Sequence, residues 1–228
     1  MGSWFDSKAW HLFNNARVVQ WLECLLAKEK VAGSNPVSRS LVNMTKPNNL
    51  KLISITTPSP PQAQAIRQLQ QLCFTDVDEL EAQEDFYHQP SMQILAYVDN
   101  TLVAWAGVHI TQQYYLDQAV KLGGYGICTH PNFRRQGIAT RVVNKAMQYL
   151  KQQQCDVAFL SVDPNNQAAV KLHQQHGFVM LSQNFTWTNS KGQLKQDTGG
   201  MLAPLVSQKL FDLIISGTEP LYVGHGYW

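Results

Sequence analysis

The residues best suited to chemistry lie at 134–140, which read Arg-Arg-Gln-Gly-Ile-Ala-Thr. Gly137 lets the backbone approach a ligand closely, and Ala139 keeps the next position small. Ile138, Val142, Ala146 and Leu150 repeat every four residues behind this run, so it opens an amphipathic helix. The first four N–H groups of a helix have no intrahelical acceptor and carry partial positive charge, which makes them a cradle for a pyrophosphate. Arg134 and Arg135 add cationic donors at its mouth. No Gly-Lys-Ser/Thr ending follows, so this is not a P-loop, and the three-glycine dinucleotide fingerprint is absent.

A second constellation follows at Asn166-x-x-Ala169-x-x-Leu172-His173-x-x-x-Gly177-Phe178. Together the two runs resemble the GNAT acetyltransferases. The first, with His130-Pro131 ahead of it, is similar to their acetyl-CoA signature Arg/Gln-x-x-Gly-x-Gly/Ala. The second is similar to their Asn-x-x-Ala-x-x-Leu-Tyr-x-x-x-Gly-Phe motif. The resemblance covers about residues 50–187.

It implies transfer of acetyl from acetyl-CoA directly to an amine. Backbone groups of Ile127, Cys128 and Thr129 would bind the pantetheine arm in a gap between two splayed parallel strands. One backbone N–H there would polarise the thioester carbonyl. Amides from Arg135 through Gln136, Gly137, Ile138 and Ala139 to Thr140 would hold the pyrophosphate, with Asn166 on the far side of the arm. His173 departs from the pattern, standing where the family carries a tyrosine that protonates the leaving thiolate. A protonated imidazole with a pKa of about 6.5 could reprotonate a thiol of about 8.5; the other reading is a histidine filling a helix–sheet contact. The strand 123–129 lacks the Glu that many relatives use as base. Tyr125 occupies roughly that location and His130 is a second candidate. Cys128 reads either as a small buried side chain or as a covalent nucleophile.

Composition narrows the classes. Hydrophobic residues make up 44% of the 228 and charged ones 15%, as in a globular chain with a core. Eighteen basic and sixteen acidic residues give a net charge of +2, with no basic run to suggest nucleic acid. Cys24, Cys73, Cys128 and Cys155 form no Cys-x-x-Cys pair, and His173 and His176 lack further ligands, so no metal is expected. The apolar stretch from Val18 to Ala27 is interrupted by Gln20 and Glu23 and falls short of the roughly 20 residues that span a bilayer. A cytoplasmic protein, monomeric or homodimeric, is expected.

The elements that must position these residues follow from periodicity. Residues 50–56 and 93–98 alternate as strands, and 102–110 forms a hairpin with the latter through Asp99-Asn100. Helices are expected from Pro61 to Phe74, over Asp76–Tyr87, from Ile138 and over Gln167–His176, the last closed by Gly177. Strands are expected at 123–129, 157–162, 179–187 and, last, 200–205. The strand–helix–strand unit from Gly123 to Val162 requires a parallel pair. The fold class is therefore α/β (α+β): a mixed, partly parallel sheet of about six or seven strands flanked by helices, as in GNAT-like acyl-CoA N-acyltransferases.

Three segments complete the expected organisation: an extension over 1–43, a catalytic domain over 44–205, and a C-terminal extension over 206–228. The first reads in two ways, as an N-terminal helix packed on the domain or as a mis-annotated start. The second way rests on Gly33-Ser34-Asn35-Pro36, which is one frame of the transfer-RNA T-arm GGTTCGAATCC. Asp76, Asp78, Glu79, Glu81, Glu84 and Asp85 would draw a cationic amine or form a solvated face. The end at Trp228 faintly resembles that of aminoglycoside 2'-N-acetyltransferases, and its carboxylate would cap an acceptor pocket or pack on the sheet. A small amine is the expected acceptor; a protein amine, or a non-catalytic acyl-CoA sensor, are the alternatives.

Overall fold

A computed structural model describes residues 49–73 and 89–226. The N-terminal extension, the acidic run 76–87 and Trp228 therefore lie outside the described residues. Strand β1 (Lys51–Ile55) precedes helix α1 (Pro60–Cys73). Strands β2 (Met92–Val98), β3 (Thr101–Tyr115) and β4 (Gln118–Thr129) form an antiparallel meander. A short 3-10 turn (Pro131–Phe133) leads to α2 (Ile138–Gln152), β5 (Val157–Ser161) and α3 (Gln167–Gln174). The chain then forms β6 (Val179–Met180), β7 (Phe185–Thr188), β8 (Leu194–Asp197), β9 (Gly200–Pro204), α4 (Gln208–Ser216) and β10 (Leu221–His225).

Seven strands make one mixed sheet in the order β1-β2-β3-β4-β5-β9-β6, and β10-β7-β8 make a second. In the larger sheet only β4 and β5 run parallel, joined by α2 as the strand–helix–strand unit demands. The first hairpin turns at Asp99 and Asn100, both left-handed with φ of 48° and 65°, the conformation of a two-residue type I′ turn.

Several elements differ from the expectation. The strands expected to stop at Ile110 and start at Gly123 run on to Tyr115 and back from Gln118. They meet in a second two-residue turn at Leu116 (φ 45°) and Asp117 (φ 62°); no glycine or asparagine marks it in the sequence. The alternation over 179–187 spans two strands in different sheets. Gln183 between them donates to the Ile214 carbonyl (2.7 Å), and Leu221 N–H donates to the Asn184 carbonyl (3.1 Å), so the chain leaves the first sheet to pair with β10. Strand β9 is interior to its sheet, between β5 and β6. Strand β8, helix α4 and strand β10 had no counterpart in the sequence reading, although Ser207 caps α4 through its hydroxyl (3.3 Å from Leu210 N).

The two faces of the larger sheet differ. A Cβ on Gly123 would meet Leu150 of α2 at 2.6 Å, and the Tyr125 hydroxyl meets His173 of α3. These odd-numbered β4 residues thus face α2 and α3. The even-numbered ones face the other way, where Cys128 meets Cys73 at the end of α1. On that second face a separate apolar cluster joins Tyr115, Leu122, Phe159, Phe211, Ile214 and Val223, seating α4 and β10 beside α1's territory. No helix among the described residues is long and apolar enough to cross a membrane.

Candidate active site

The parallel pair β4–β5 opens partway along. Its register runs Leu122↔Val157, Gly123↔Ala158 and Gly124↔Phe159 and stops there, while β3–β4 pairing continues without a shift to Ala104↔Thr129. Beyond Phe159, β5 stays paired with β9 through Ser161↔Gly200. Tyr125 to Thr129 thus border a cleft. Period-two alternation fixes which peptide groups face it. Lys121 N–H donates to the Asp156 carboxylate (2.8 Å) on the β5 side, and His130 N–H donates to the Val103 carbonyl (2.8 Å) on the β3 side. The peptide groups of Tyr125, Ile127 and Thr129 therefore point into the cleft, whereas those of Cys128 turn to β3. The expectation that Cys128's backbone would hold the arm is corrected accordingly.

At the cleft's mouth the chain turns sharply into α2. Arg135 is left-handed (φ 61°), as is Gly137 at the helix N-cap (φ 76°). Arg134 donates through Nε to the Thr129 carbonyl (3.1 Å), which ties the turn to the end of β4. The first helical bond of α2 runs from Arg141 N–H to the Gly137 carbonyl. No acceptor among the described residues meets the amides of Arg135, Gln136, Gly137, Ile138, Ala139 or Thr140. A Cβ built on Gly137 has nothing within 4 Å, so the helix entrance faces open space. Bare amides beside an open cleft suit a diphosphate carrying a long arm.

The side chains expected to move protons sit deeper. His173 and Tyr125 are each only 1% exposed, and the Tyr125 hydroxyl lies 3.2 Å from His173 Nδ1. Phe178 stands edge-on to both rings. Burial, reinforced by His176, pushes the His173 pKa down to about 3, and burial raises Tyr125 well above the ordinary tyrosine value. Near neutral pH the pair is an uncharged imidazole and an intact phenol, so the imidazolium donor anticipated from the sequence is not held here. Burial likewise raises the Cys128 thiol, with the Cys73 thiol alongside adding to the shift. A protonated, buried thiol is a poor nucleophile. Asn166 caps α3, its Oδ1 accepting from Ala169 N–H (3.1 Å), and His130 Nδ1 accepts from Asn132 N–H (3.2 Å) to start the 3-10 turn. The fold thus gathers Tyr125, Ile127, Thr129 and 134–140 around the cleft. It places His173 and Asn166 at the α3 side and directs the Cys128 side chain to the opposite face.

Residues 63–178 match the acetyltransferase (GNAT) family, just over half of the chain. The chain belongs to the GNAT acetyltransferase family. It is an acyltransferase on a fold that binds acetyl-CoA or CoA. Similar solved structures include the ribosomal-protein-S18-alanine N-acetyltransferase from Escherichia coli, at 18% identity and a TM-score of 0.47, covering 68% of this chain and 94% of that one. A GNAT acetyltransferase from Streptococcus pneumoniae gives 15% identity and 0.46, covering 68% and 99%. The aminoglycoside acetyltransferase meta-AAC0020 from an uncultured soil metagenomic sample gives 17% and 0.43, covering 56% and 87%. Among curated proteins none is similar enough in sequence to count as a match.

His109 is a buried polar residue of β3 (8% exposed), directly across from Gly124, the last β4 residue paired to β5.

Proposed function

We propose that the chain moves acetyl from acetyl-CoA to a primary amine of a small molecule by direct attack. The observation that carries this is the coincidence of amides at 135–140 that meet no acceptor among the described residues with the parting of β4 and β5 beside them. The amides of Arg135 to Thr140 would hold the pyrophosphate, with Arg134 and Arg135 nearby. The arm would lie along Ile127 and Thr129, and Asn166 would face it from α3. An amide of Tyr125 or Ile127 would support the thioester oxygen as charge develops. Tyr125 and His173 act as positioning residues that lock β4 to α3, and water returns the proton to the departing thiolate.

The acceptor enters from the opposite face, between α1 and β10. Support for a small acceptor comes from β10, whose Gly224 backbone closes onto the Thr111 and Gln113 side chains of β3. The catalytic domain is taken as 44–205, and α4 and β10 of the C-terminal extension would wall the acceptor site. The acidic run 76–87 follows α1 in the chain and would favour a cationic amine.

Thiol release from acetyl-CoA with kanamycin, spermidine, tyramine and an alanine-terminated peptide tests the proposal. Turnover of one of the small amines supports it. Turnover of the peptide alone assigns the enzyme to protein amines, and binding without any turnover makes it an acyl-CoA sensor.

A further inference from the structure

The hairpin of β3 and β4 reaches beyond the strand that flanks it. Strand β2 pairs with β3 only as far as Met92↔Val108, where Ser91 N–H donates to the Val108 carbonyl (2.7 Å). On its other side β3 stays paired to β4, without a shift, as far as Tyr115↔Gln118. In an antiparallel strand the N–H and C=O of one residue point the same way, and successive residues alternate. The Val103 carbonyl accepts from His130 N–H, so odd-numbered β3 residues address β4 and even-numbered ones the opposite edge. Ile110, Gln112 and Tyr114 therefore turn their peptide groups to an edge where they have no backbone partner among the described residues. Proteins normally guard such an edge with charge, proline, a bulge or brevity. Strand β8 carries Lys195 and Asp197, β6 is 2 residues long and β1 opens with Lys51. The run Ile110-Thr111-Gln112-Gln113-Tyr114 has none of these guards. Tyr114 is 70% exposed and Leu116 at the hairpin tip 54%.

We propose that this edge pairs with the same edge of a second copy of the chain, about a two-fold axis at Gln112. The free run is bounded by β2 at one end and by the Leu116-Asp117 turn at the other, with Gln112 at its middle. An antiparallel copy centred there sets Gln112 opposite Gln112 and Ile110 opposite Tyr114, so each outward N–H meets an outward C=O. Any other register leaves Ile110 or Tyr114 of each copy without a strand partner. The side chains agree with this register, because an aromatic beside a β-branched residue is a favourable cross-strand pair. The run holds no charge that would repel its own copy. A foreign strand would meet the same peptide groups, but a second copy also matches both ends of the gap, each hairpin tip stopping at the other's β2. The contact is isologous and closes at two chains.

Analytical ultracentrifugation of the full chain at micromolar concentration tests this, and wild type should sediment with the mass of two chains. Gln112→Pro removes the central outward N–H without touching the ladder to β4. Tyr114→Lys puts a charge on the edge of each copy. Both should sediment as monomers while keeping the circular dichroism of the folded wild type. Leu194→Lys, at a 68% exposed leucine of β8, should stay dimeric. Mild oxidation reads the register. The Cα atoms of a hydrogen-bonded antiparallel pair lie about 5.5 Å apart, within disulfide reach, so Gln112→Cys should cross-link two chains. Tyr114→Cys should not, since four residues of strand set its thiols about 14 Å apart. A monomeric wild type overturns the proposal. So does a dimer that survives both folded edge variants, or a Tyr114→Cys cross-link stronger than that of Gln112→Cys.

Discussion

Replacing Gly137 with alanine separates what the site needs from what the fold needs. Gly137 holds φ at 76°, a conformation that costs an L-residue about 1–2 kcal/mol. A Cβ there meets no protein atom within 4 Å, so backbone strain is the whole stability cost. For a domain of this size that lowers the melting temperature by about 2–8 °C. The same Cβ projects beside the amides of 135–140. Displacing a phosphate enough to lose one charged hydrogen bond removes about 1.5–3 kcal/mol, which is roughly 10–100-fold in acetyl-CoA affinity. Gly192, in the turn between β7 and β8, is the control: its φ is 74° and its Cβ site is equally open. Calorimetric titration and thermal melts of Gly137→Ala and Gly192→Ala should show similar strain in both, with weakened acetyl-CoA binding in the first alone. Equal affinities in two equally destabilised variants would refute the reasoning, because the helix entrance would then hold no phosphate.

Three further outcomes follow from the buried groups. His173 titrates at about 3 in the native state against about 6.5 unfolded, so between these values the unfolded chain holds the extra proton. Stability is full above pH 6.5 and declines below it by about 1.4 kcal/mol per pH unit, about 2 kcal/mol by pH 5; urea melts of His173→Leu should lack this component. Tyr125→Phe leaves the His173 Nδ1 without its hydroxyl partner. The change should cost about 1–3 kcal/mol of stability while kcat for the best amine moves only a few-fold; a far larger fall in kcat would make Tyr125 a proton donor to the sulfur. Cys128→Ala should lose about 1 kcal/mol and keep its thiol release, and an inactive but folded, acetyl-CoA-binding variant would restore the covalent alternative.

The fold was legible where local chemistry dictated it. The stripe Ile138, Val142, Ala146 and Leu150 is buried on α2 as its spacing demands, and the Asp99-Asn100 hairpin turned where its residues allow positive φ. The unit β4–α2–β5 and the open helix entrance at Gly137 follow from the same kind of signal. What stayed hidden was decided by tertiary pairing. Leu116 adopts a left-handed turn against its own preference because long strands on both sides continue to pair. Leu181, Phe185 and Trp187 keep one buried phase although the chain changes sheets, while Val179 in the same phase is 47% exposed on β6, so the alternation records burial only in part and never the partner strand. His173 was recognisable as a departure from the family motif, but its neutrality comes from packing against Tyr125 and Phe178, which spacing alone does not show.

Amide hydrogen exchange with and without acetyl-CoA probes the central arrangement most directly. The account predicts new protection at two places together, the cleft-facing amides of Tyr125 and Ile127 and the helix entrance from Arg135 to Thr140, with β7 and β8 unchanged. Tight binding of acetyl-CoA that leaves both stretches exchanging as before would contradict it.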